Sequence, residues 1–466
     1  MTGTIQLTMK RRTEMSEKQE FKHILSKIKI GPIELKNRIV LAPMNEALCQ
    51  GNGEVGEPYI AYFGARAKGG TGLITTGAIM GTRLAGEFQA GRNPHLYHQG
   101  HMHGMNDLTD RVHYFGSRIA AQMTIGFGRQ GHSYDHHKLA PAATAGLPYE
   151  IAAEKTPNHL SDLYAVMEFA RSYMTGQMTR EMSIEEIRSE QKEFANSCQL
   201  AVTCGFDAIE IHAPHGYLEH QFLSPLSNKR SDMYGGEWRN RKRFLMEVAE
   251  QIRYACPGVA VGCRISAEEH MQGGLTEEEM IDVAKDLEAI GLDYISLSDG
   301  AGYEESGHLI TDMDRSRHIP EHGEAFKKKL KIPVMVSSQH DPVKIDKNIA
   351  EGKYDLQAMG RQMYCDPEYV NKLEAGKAKE IVRCSRCNTC VMRFLAALTP
   401  ACTQNPNLGR EYAMDEYKIG PWQKHESLIS EGLMRAPMPS LDRPWWKNEL
   451  SYIEKSWRLL QGRTPR

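Results

Sequence analysis

The sequence predicts an α/β protein, a (β/α)8 TIM barrel followed by a short cysteine-bearing segment. Three observations carry that prediction. Eight short runs of apolar and β-branched residues recur between residues 39 and 361. They are near-continuously apolar rather than alternating, as parallel strands buried on both faces must be. Polar side chains gather at the carboxyl ends of these runs, where a barrel carries its chemistry.

The runs, in order, are "IVLAPM" (39–44), "GLITTGAI" (72–79), "IAAQMT" (119–124), "AIEIHA" (208–213), "VAVGCRIS" (259–266), "YISLS" (294–298), "VMVSS" (334–338) and "LQAMGR" (356–361). Helical patterns separate several of them. Ser183 with Glu186 three residues on is a capping box that opens a helix. In "TEEEMIDVAKDLEAIGL" the apolar positions Met280, Ile281, Val283, Ala284, Leu287 and Ile290 keep helical spacing, and Gly291 is the stop. A doubly wound sheet would also alternate strand and helix, but with fewer strands and a Gly-rich first turn. "LAPMNEAL" after the first run is not Gly-rich. "GFGRQG" (126–131) matches G-x-G-x-x-G, yet "HSYDHHKLAPAATAGLPY" after it cannot open the helix that a dinucleotide site needs. These glycines read as a flexible loop, and the stretch from about 126 to 180 as a lid.

The chain has 466 residues, ten cysteines and a net charge of −2. No global field draws it to nucleic acid or a membrane surface. No run approaches the roughly 18 apolar residues of a membrane helix. The charged first 20 residues lack the apolar core of a signal peptide. A cytoplasmic location is expected, where thiols stay reduced.

Candidate chemistry lies at the strand ends. Gln122 falls late in the third run. Glu210 and His212 share one face of the fourth, and His215 and Tyr217 follow in its loop. Arg264 ends the fifth run; Gly360 and Arg361 end the eighth, where such barrels often bind phosphate. His212, His215 and His220 read as core histidines or, less readily, as a metal set. Two imidazoles three residues apart at a strand end can also converge on one oxygen and stabilise an enolate. Tyr217 is then either a proton donor or an ordinary loop aromatic.

Cys384, Cys387, Cys390 and Cys402 have the spacing C-x2-C-x2-C-x11-C. A reducing compartment argues against disulfides. Two chemistries stay open on spacing alone. Structural zinc usually takes two C-x2-C pairs, whereas three close cysteines and one distant ligand suit a [4Fe–4S] cube. Cys49, Cys198, Cys204, Cys256, Cys263 and Cys365 are scattered and read as core or surface thiols.

The motifs "EIHAPHGYLEHQFLSPLSNKRSDMYGGEWRNRKRF", "VGCRIS", "AMGR" and the cysteine cluster together resemble the old yellow enzyme family of flavin-dependent barrels. The likeness runs from "IKIGPIELKNRIVLAPM" to "CTQNPNLGRE" and is greatest to the iron–sulfur branch that includes 2,4-dienoyl-CoA reductase, bile-acid dienoyl reductases and trimethylamine dehydrogenase. The resemblance implies non-covalent FMN at the barrel mouth. Ala42, Pro43 and Met44 would face its ring, with Gly77 beside it. Gln122 would bind the pyrimidine edge, and Arg264 would sit where the reduced ring becomes anionic. Ser337, Ser338, Gly360 and Arg361 would hold the phosphate, although "SSQ" (337–339) stands where the family often has glycines. Asn45 also departs from the Thr or Cys of many relatives.

His212 and His215 match the family pair that grips a substrate carbonyl, and Tyr217 matches its proton donor. The implied reaction is reduction of the C=C bond of an enone, enoate or enoyl-CoA. Tyr303, after the sixth run, is a weaker candidate acid. An amine dehydrogenase or N-demethylase of the trimethylamine dehydrogenase type is the alternative, but its members carry Tyr where this chain has His212. A non-redox barrel with structural zinc is the alternative of another class. Four cysteines in this context imply a [4Fe–4S] cluster.

The expected organisation is an arm (1–24), the FMN barrel (25–380), the cluster segment (381–412) and a tail (413–466) packed on the barrel or another subunit. The relatives continue into flavin- and nicotinamide-binding parts, whereas 64 residues follow Cys402 here. The expected partners are therefore a small-molecule substrate and a separate electron-donor protein or subunit, with NAD(P)H acting indirectly. A homo-oligomer is also expected.

Overall fold

The structure, a computed structural model, describes residues 21–87, 92–130, 138–140, 179–300, 319–395 and 398–417. All eight apolar runs form strands. They are β1 (Ile39–Leu41), β2 (Leu73–Thr75), β3 (Arg118–Thr124), β4 (Ala208–Ala213), β5 (Ala260–Ser266), β6 (Tyr294–Ser298), β7 (Val334–Val336) and β8 (Leu356–Met359). Each pairs in parallel with its neighbours. β8 pairs with β1 and β2 with β3, which closes the barrel.

Several strands end earlier than their apolar runs. β1 stops at Leu41, and residues 42–48 lead away as irregular chain. The second run breaks after Thr75; Ile79–Met80 forms a separate short strand against the end of β3. Among the described residues, seven helices cover the outside: α1 (Glu57–Lys68), α2 (Met102–Tyr114), α3 (Ile184–Thr203), α4 (Trp238–Ala255), α5 (Glu277–Ile290), α6 (Ile319–Lys327) and α7 (Pro342–Ala350). α8 (Arg361–Cys365) and α9 (Tyr369–Glu374) follow β8.

The predicted capping box on α3 is present. Ser183 accepts from the Glu186 amide, and the Glu186 side chain accepts from the Ser183 amide. α5 has a second capping box, Thr276 with Glu279, and ends at Gly291 in the left-handed conformation (φ 98°). Met280, Val283, Ala284 and Leu287 are its buried stripe.

Inside the barrel, alternate residues of each strand face inward, and their character changes along the strand. The lower layers are apolar: Val40, Leu73, Ala120, Ala208, Ala260, Tyr294 and Leu356 form one buried cluster. Two residues higher, Gln122 pairs in register with Glu210. Two higher again, His212 pairs with Arg264. Gly262 makes room in this stack, since a Cβ there would meet the Tyr294 ring at 2.3 Å. The polar end of the barrel is thus built on an apolar plug.

The packing begins by residue 21, inside the expected arm, where Phe21 and Ile24 are buried. The amides of His23 and Ile24 donate to Asp346 of α7. At the other end, residues 411–417 lie on α1 and α2. Arg66 of α1 pairs with Glu411, both fully buried. Arg111 of α2 donates to the Tyr417 carbonyl at 2.6 Å. Residues 411–417 thus pack on the barrel, and residues 418–466 lie outside the described residues. Among the described residues no helix is long and apolar enough to cross a membrane.

Breaking a buried ion pair from one side leaves an unpaired charge. Glu411→Ala should therefore cost about 3–5 kcal/mol in urea unfolding. The double variant Arg66→Met, Glu411→Leu should cost clearly less. Equal losses would show that the pair does not couple the two segments.

Candidate active site

The carboxyl end of β4 and its loop bring the predicted histidines and tyrosine together. Ring centroids lie 5.4 Å apart for His212 and His215, 5.1 Å for His212 and Tyr217, and 6.3 Å for His215 and Tyr217. His212 points into the barrel mouth from the strand. His215 reaches the same place through a left-handed backbone (φ 66°), followed by Gly216 at φ 69°. A left-handed non-glycine residue costs on the order of 1–3 kcal/mol and survives only where its surroundings hold it.

Two serines supply that hold. The Ser266 hydroxyl, at the end of β5, accepts from the His215 amide at 3.1 Å. The Ser298 hydroxyl, at the end of β6, lies 2.6 Å from His215 Nε2. Ser298 also accepts from Arg264 Nη2 at 3.2 Å. Three adjacent strand ends thus meet in one polar network.

His212 stands apart in that network. Both of its ring nitrogens are buried without a hydrogen-bond partner. Burial, with Arg264 and His220 nearby, holds its pKa well below the usual imidazole range. It is neutral near pH 7, with one N–H free to donate. Burial pushes the Tyr217 hydroxyl up to about 12, so it carries its proton.

His220 does not join a metal set with His212 and His215. It pairs with Glu269 at 2.8 Å, both side chains fully buried. It braces the helix after Tyr217 (Leu218–Leu223) to the loop after β5. The start of "GFGRQG" packs on the segment after β4: Phe127 meets Tyr217 edge to face at 4.9 Å, and the Leu218 amide donates to the Gly126 carbonyl. Residues 128–130 form a 3-10 turn rather than an α-helix. Tyr303, and the span 126–180 apart from residues 126–130, 138–140 and 179–180, lie outside the described residues.

The other predicted residues surround the same mouth. Arg264 Nη1 approaches the Pro43 carbonyl at 3.5 Å, and its Nε is buried without a partner. Gly77 lies against Met44: a Cβ at Gly77 would sit 1.9 Å from the Met44 carbonyl oxygen. A Cβ at Gly360 would meet the Met44 sulfur at 2.7 Å. The Ala42 amide donates to the Met359 carbonyl, fixing β1 to β8 at this level. Gln122 Nε2 donates to Glu210 Oε1 at 2.8 Å. Ser337 and Ser338 are half-buried at the end of β7, and Ser338 is left-handed (φ 73°). The turn expected of glycine is therefore kept with serine.

Arg361 turns toward the cysteines. Its Nη1 donates to Asn388 Oδ1 at 2.6 Å, inside the C-x2-C-x2-C loop. Gln362 of α8 accepts from the Cys384 amide and donates to the Val382 carbonyl. Asp366 accepts from the Val382 amide. Asn405 donates to the Tyr364 carbonyl, anchoring the Cys402 side. Arg386 and Asn388 are both left-handed (φ 57° and 59°), curling the loop between its cysteines. Cys387 Sγ lies 3.4 Å from the Thr389 and Thr403 hydroxyls, and Cys402 Sγ accepts from the Gln404 amide. All four thiols are free of disulfides. The loop therefore sits directly behind the strand end where Gly360 and Arg361 lie.

Besides the two serines, Glu46 and Cys365 were not legible as site neighbours in the sequence. Glu46, after Asn45, is buried with both oxygens unpaired, and burial raises its pKa well above the carboxylate range. A Cβ at Gly77 would lie 3.0 Å from it, so a neutral carboxyl lines the mouth. Cys365, read as a scattered thiol, lies beside Cys402 and Cys384; burial and those neighbours push it up to about 12.

A barrel with a buried histidine pair, a tyrosine and an arginine at its mouth defines a class of flavin-handling barrels, and comparison with known proteins makes the assignment. The chain belongs to the NADH:flavin oxidoreductase / NADH oxidase family, whose model matches residues 23–380. It is 33% identical over 426 residues to the NADH oxidase of Thermoanaerobacter brockii, covering 88% of this chain and 60% of that protein. It is 31% identical over 417 residues to the cinnamate reductase of Clostridium sporogenes, covering 84% and 59%. Among solved structures, 2-naphthoyl-CoA reductase superposes with a TM-score of 0.75 at 26% identity, covering 86% of this chain and 59% of that one. The chain thus spans about three-fifths of the length of these relatives.

The depressed pKa of His212 has a consequence for stability. An unfolded histidine titrates near about 6.5, so below that pH the unfolded chain binds a proton that the folded site refuses. Stability should fall as pH drops below about 6.5, by up to about 1.4 kcal/mol per pH unit from this residue. Above that window the residue contributes no pH dependence. Urea midpoints for wild type and His212→Gln between about pH 5 and 7 should converge as pH falls; parallel curves would exclude a buried neutral His212.

Proposed function

We propose that this protein is a flavin-dependent ene reductase acting on an α,β-unsaturated carbonyl compound, with FMN at the barrel mouth and a [4Fe–4S] cluster on its cysteine loop. The observation that carries the reading is His212, a buried neutral imidazole with no protein partner, beside His215 and Tyr217. Buried polar atoms are almost always paired, so a ligand oxygen is the expected partner. The names of two similar proteins, cinnamate reductase and 2-naphthoyl-CoA reductase, point the same way.

The mouth fits FMN. Arg264 carries an unpartnered buried Nε next to the Pro43 carbonyl, and Met44, Gly77 and Gly360 pack without intervening side chains. Ala42, Pro43, Met44, Gly77, Gln122 and Arg264 would hold the ring; Ser337, Ser338, Gly360 and Arg361 would hold the phosphate. When bound, FMN supplies a hydride to the β-carbon of the substrate. His212 and His215 grip the carbonyl oxygen and stabilise the charge that develops on it. Ser298 keeps the His215 ring in place for that task. Tyr217, protonated at working pH, delivers a proton to the α-carbon.

Four thiols on a loop curled by two left-handed residues suit a cubic cluster better than zinc. Zinc at about 2.3 Å from each sulfur holds the sulfurs roughly 3.8 Å apart. Among the described residues, only Glu268, His270 and His322 bring three such ligand atoms within 4.8 Å of one another. The loop is joined to the strand end of Gly360 by Arg361 and Gln362. In this reading electrons enter from a donor protein through the cluster, and NAD(P)H acts through that donor. The relative named N,N-dimethylglycine/sarcosine dehydrogenase, 27% identical, keeps amine oxidation as the second outcome. The neutral oxygen grip at His212 favours ene reduction.

The test is anaerobic turnover of cinnamate-like, aryl-enone and enoyl-CoA substrates with a reduced dye. His212→Ala and His215→Ala should each lower turnover about 10²–10³-fold with FMN content unchanged. Unchanged turnover would reject the oxygen grip, and dye reduction by methylated amines instead would establish the second outcome. Rapid NADH oxidation by the purified protein alone would reject the donor protein. A colourless preparation holding zinc would reject the redox reading altogether.

A further inference from the structure

A second histidine cluster lies at the rim of the barrel and takes no part in the chemistry above. Glu268 and His270 are in the loop after β5, and His322 is in the first turns of α6. One ligand atom of each lies within 4.8 Å of the others. With Glu277, Glu321 and Ala325 they line a cleft of about 400 Å³.

Each imidazole is held through one nitrogen by a carboxylate. His270 Nε2 lies 2.6 Å from Asp299 Oδ1. His322 Nδ1 hydrogen-bonds Glu277 Oε2. On the other side, His270 Nδ1 lies 3.6 Å from Glu268 Oε2. His322 Nε2 is buried with no hydrogen-bond partner, in a residue only 8% exposed.

This is how metal-binding histidines are prepared. A carboxylate on one ring nitrogen fixes the tautomer and turns the other nitrogen, made more basic, toward the ion. Two imidazoles and one carboxylate are a ligand set for zinc-class divalent ions, with a fourth position left to water. The carboxylates of Glu268, Glu277 and Asp299 offset the charge of a dication. An ion would also satisfy the orphaned His322 nitrogen, which nothing among the described residues does.

We propose that Glu268, His270 and His322 form a divalent transition-metal site, with Asp299 and Glu277 as its outer carboxylates. The ion ties the loop after β5 to α6. Asp299 directly follows Ser298, which holds His215, so the site braces the strand end that carries the oxygen grip. The inference rests on neither the flavin nor the cluster.

The test uses the purified holoprotein, treated with a chelator mild enough to leave its visible spectrum unchanged. Zn2+ is titrated against a fluorescent zinc indicator, and the loaded protein is examined at the zinc absorption edge. One equivalent should bind, with nitrogen and oxygen neighbours at about 2.0–2.1 Å and no sulfur shell at about 2.3 Å. His270→Ala and His322→Ala should each weaken binding at least tenfold. His322→Gln, which preserves size and polarity, should do the same with an unchanged melting temperature in zinc-free buffer. No uptake, a sulfur shell, or equal affinity in the folded His322→Gln variant would each overturn the site.

Discussion

The hydrogen bonds of two serines at neighbouring strand ends organise the whole mouth of this barrel. Ser266 and Ser298 hold His215 in a backbone conformation it would not adopt alone. Ser298 also receives Arg264, so a cation, a strained histidine and two strands share one small hydroxyl. The hold is geometric as much as energetic. β4, β5 and β6 are in fixed parallel register, with Arg264 opposite His212 and Ser266 opposite Ser298. The barrel positions the serines, the serines position His215, and His212 then faces the remaining space with nothing to bond. A free donor in that place is the product of packing around it rather than a feature of the residue itself.

That arrangement explains what the sequence disclosed and what it withheld. Strands such as "AIEIHA" and "YISLS" are legible because burial on both faces demands continuous apolar or small residues. The capping boxes of α3 and α5 are local, Ser183 with Glu186 and Thr276 with Glu279, and are legible in the same way. The histidine pair, Tyr217 and Arg264 stand at strand ends, where position alone points to chemistry. In the sequence Ser298 is only the last letter of a strand. Its role depends on two partners more than 30 positions away in sequence, Arg264 and His215, which spacing cannot reveal. Glu46 was hidden for a similar reason: a carboxylate in a loop reads as solvated until the fold encloses it.

Arg361 shows how a motif can be placed correctly and its surroundings missed. "AMGR" lies at the end of β8, as the pattern requires. The structure adds that its arginine reaches into the cysteine loop, and that Gln362, Tyr364 and Asp366 of the same short stretch anchor both arms of that loop. One strand end therefore supports two neighbouring sites. Any distortion of the cysteine loop must be felt at Gly360, and Gly360 has no slack, since Met44 fills the space a side chain would need. In the proposed reading, electron passage between a cluster and FMN would need a fixed separation more than any specific intervening residue, and a shared strand end would supply it.

The same economy governs the rim. Ser298 and Asp299 are consecutive; the first hydrogen-bonds the His215 ring and the second the His270 ring. Successive residues leaving a strand point to opposite sides, so one turn of chain can address the interior and the rim at once. His220 with Glu269 completes the brace, because Glu269 lies between the rim residues Glu268 and His270 and is fully buried. The loop after β5 is thereby held from within by His220 and from without by the Glu268–His270–His322 cluster. A loop fastened on both sides cannot drift when substrate enters. In the proposed ene reduction a grip must meet an oxygen within about half an ångström, and that rigidity is what would let two histidines at a strand end act as a pair.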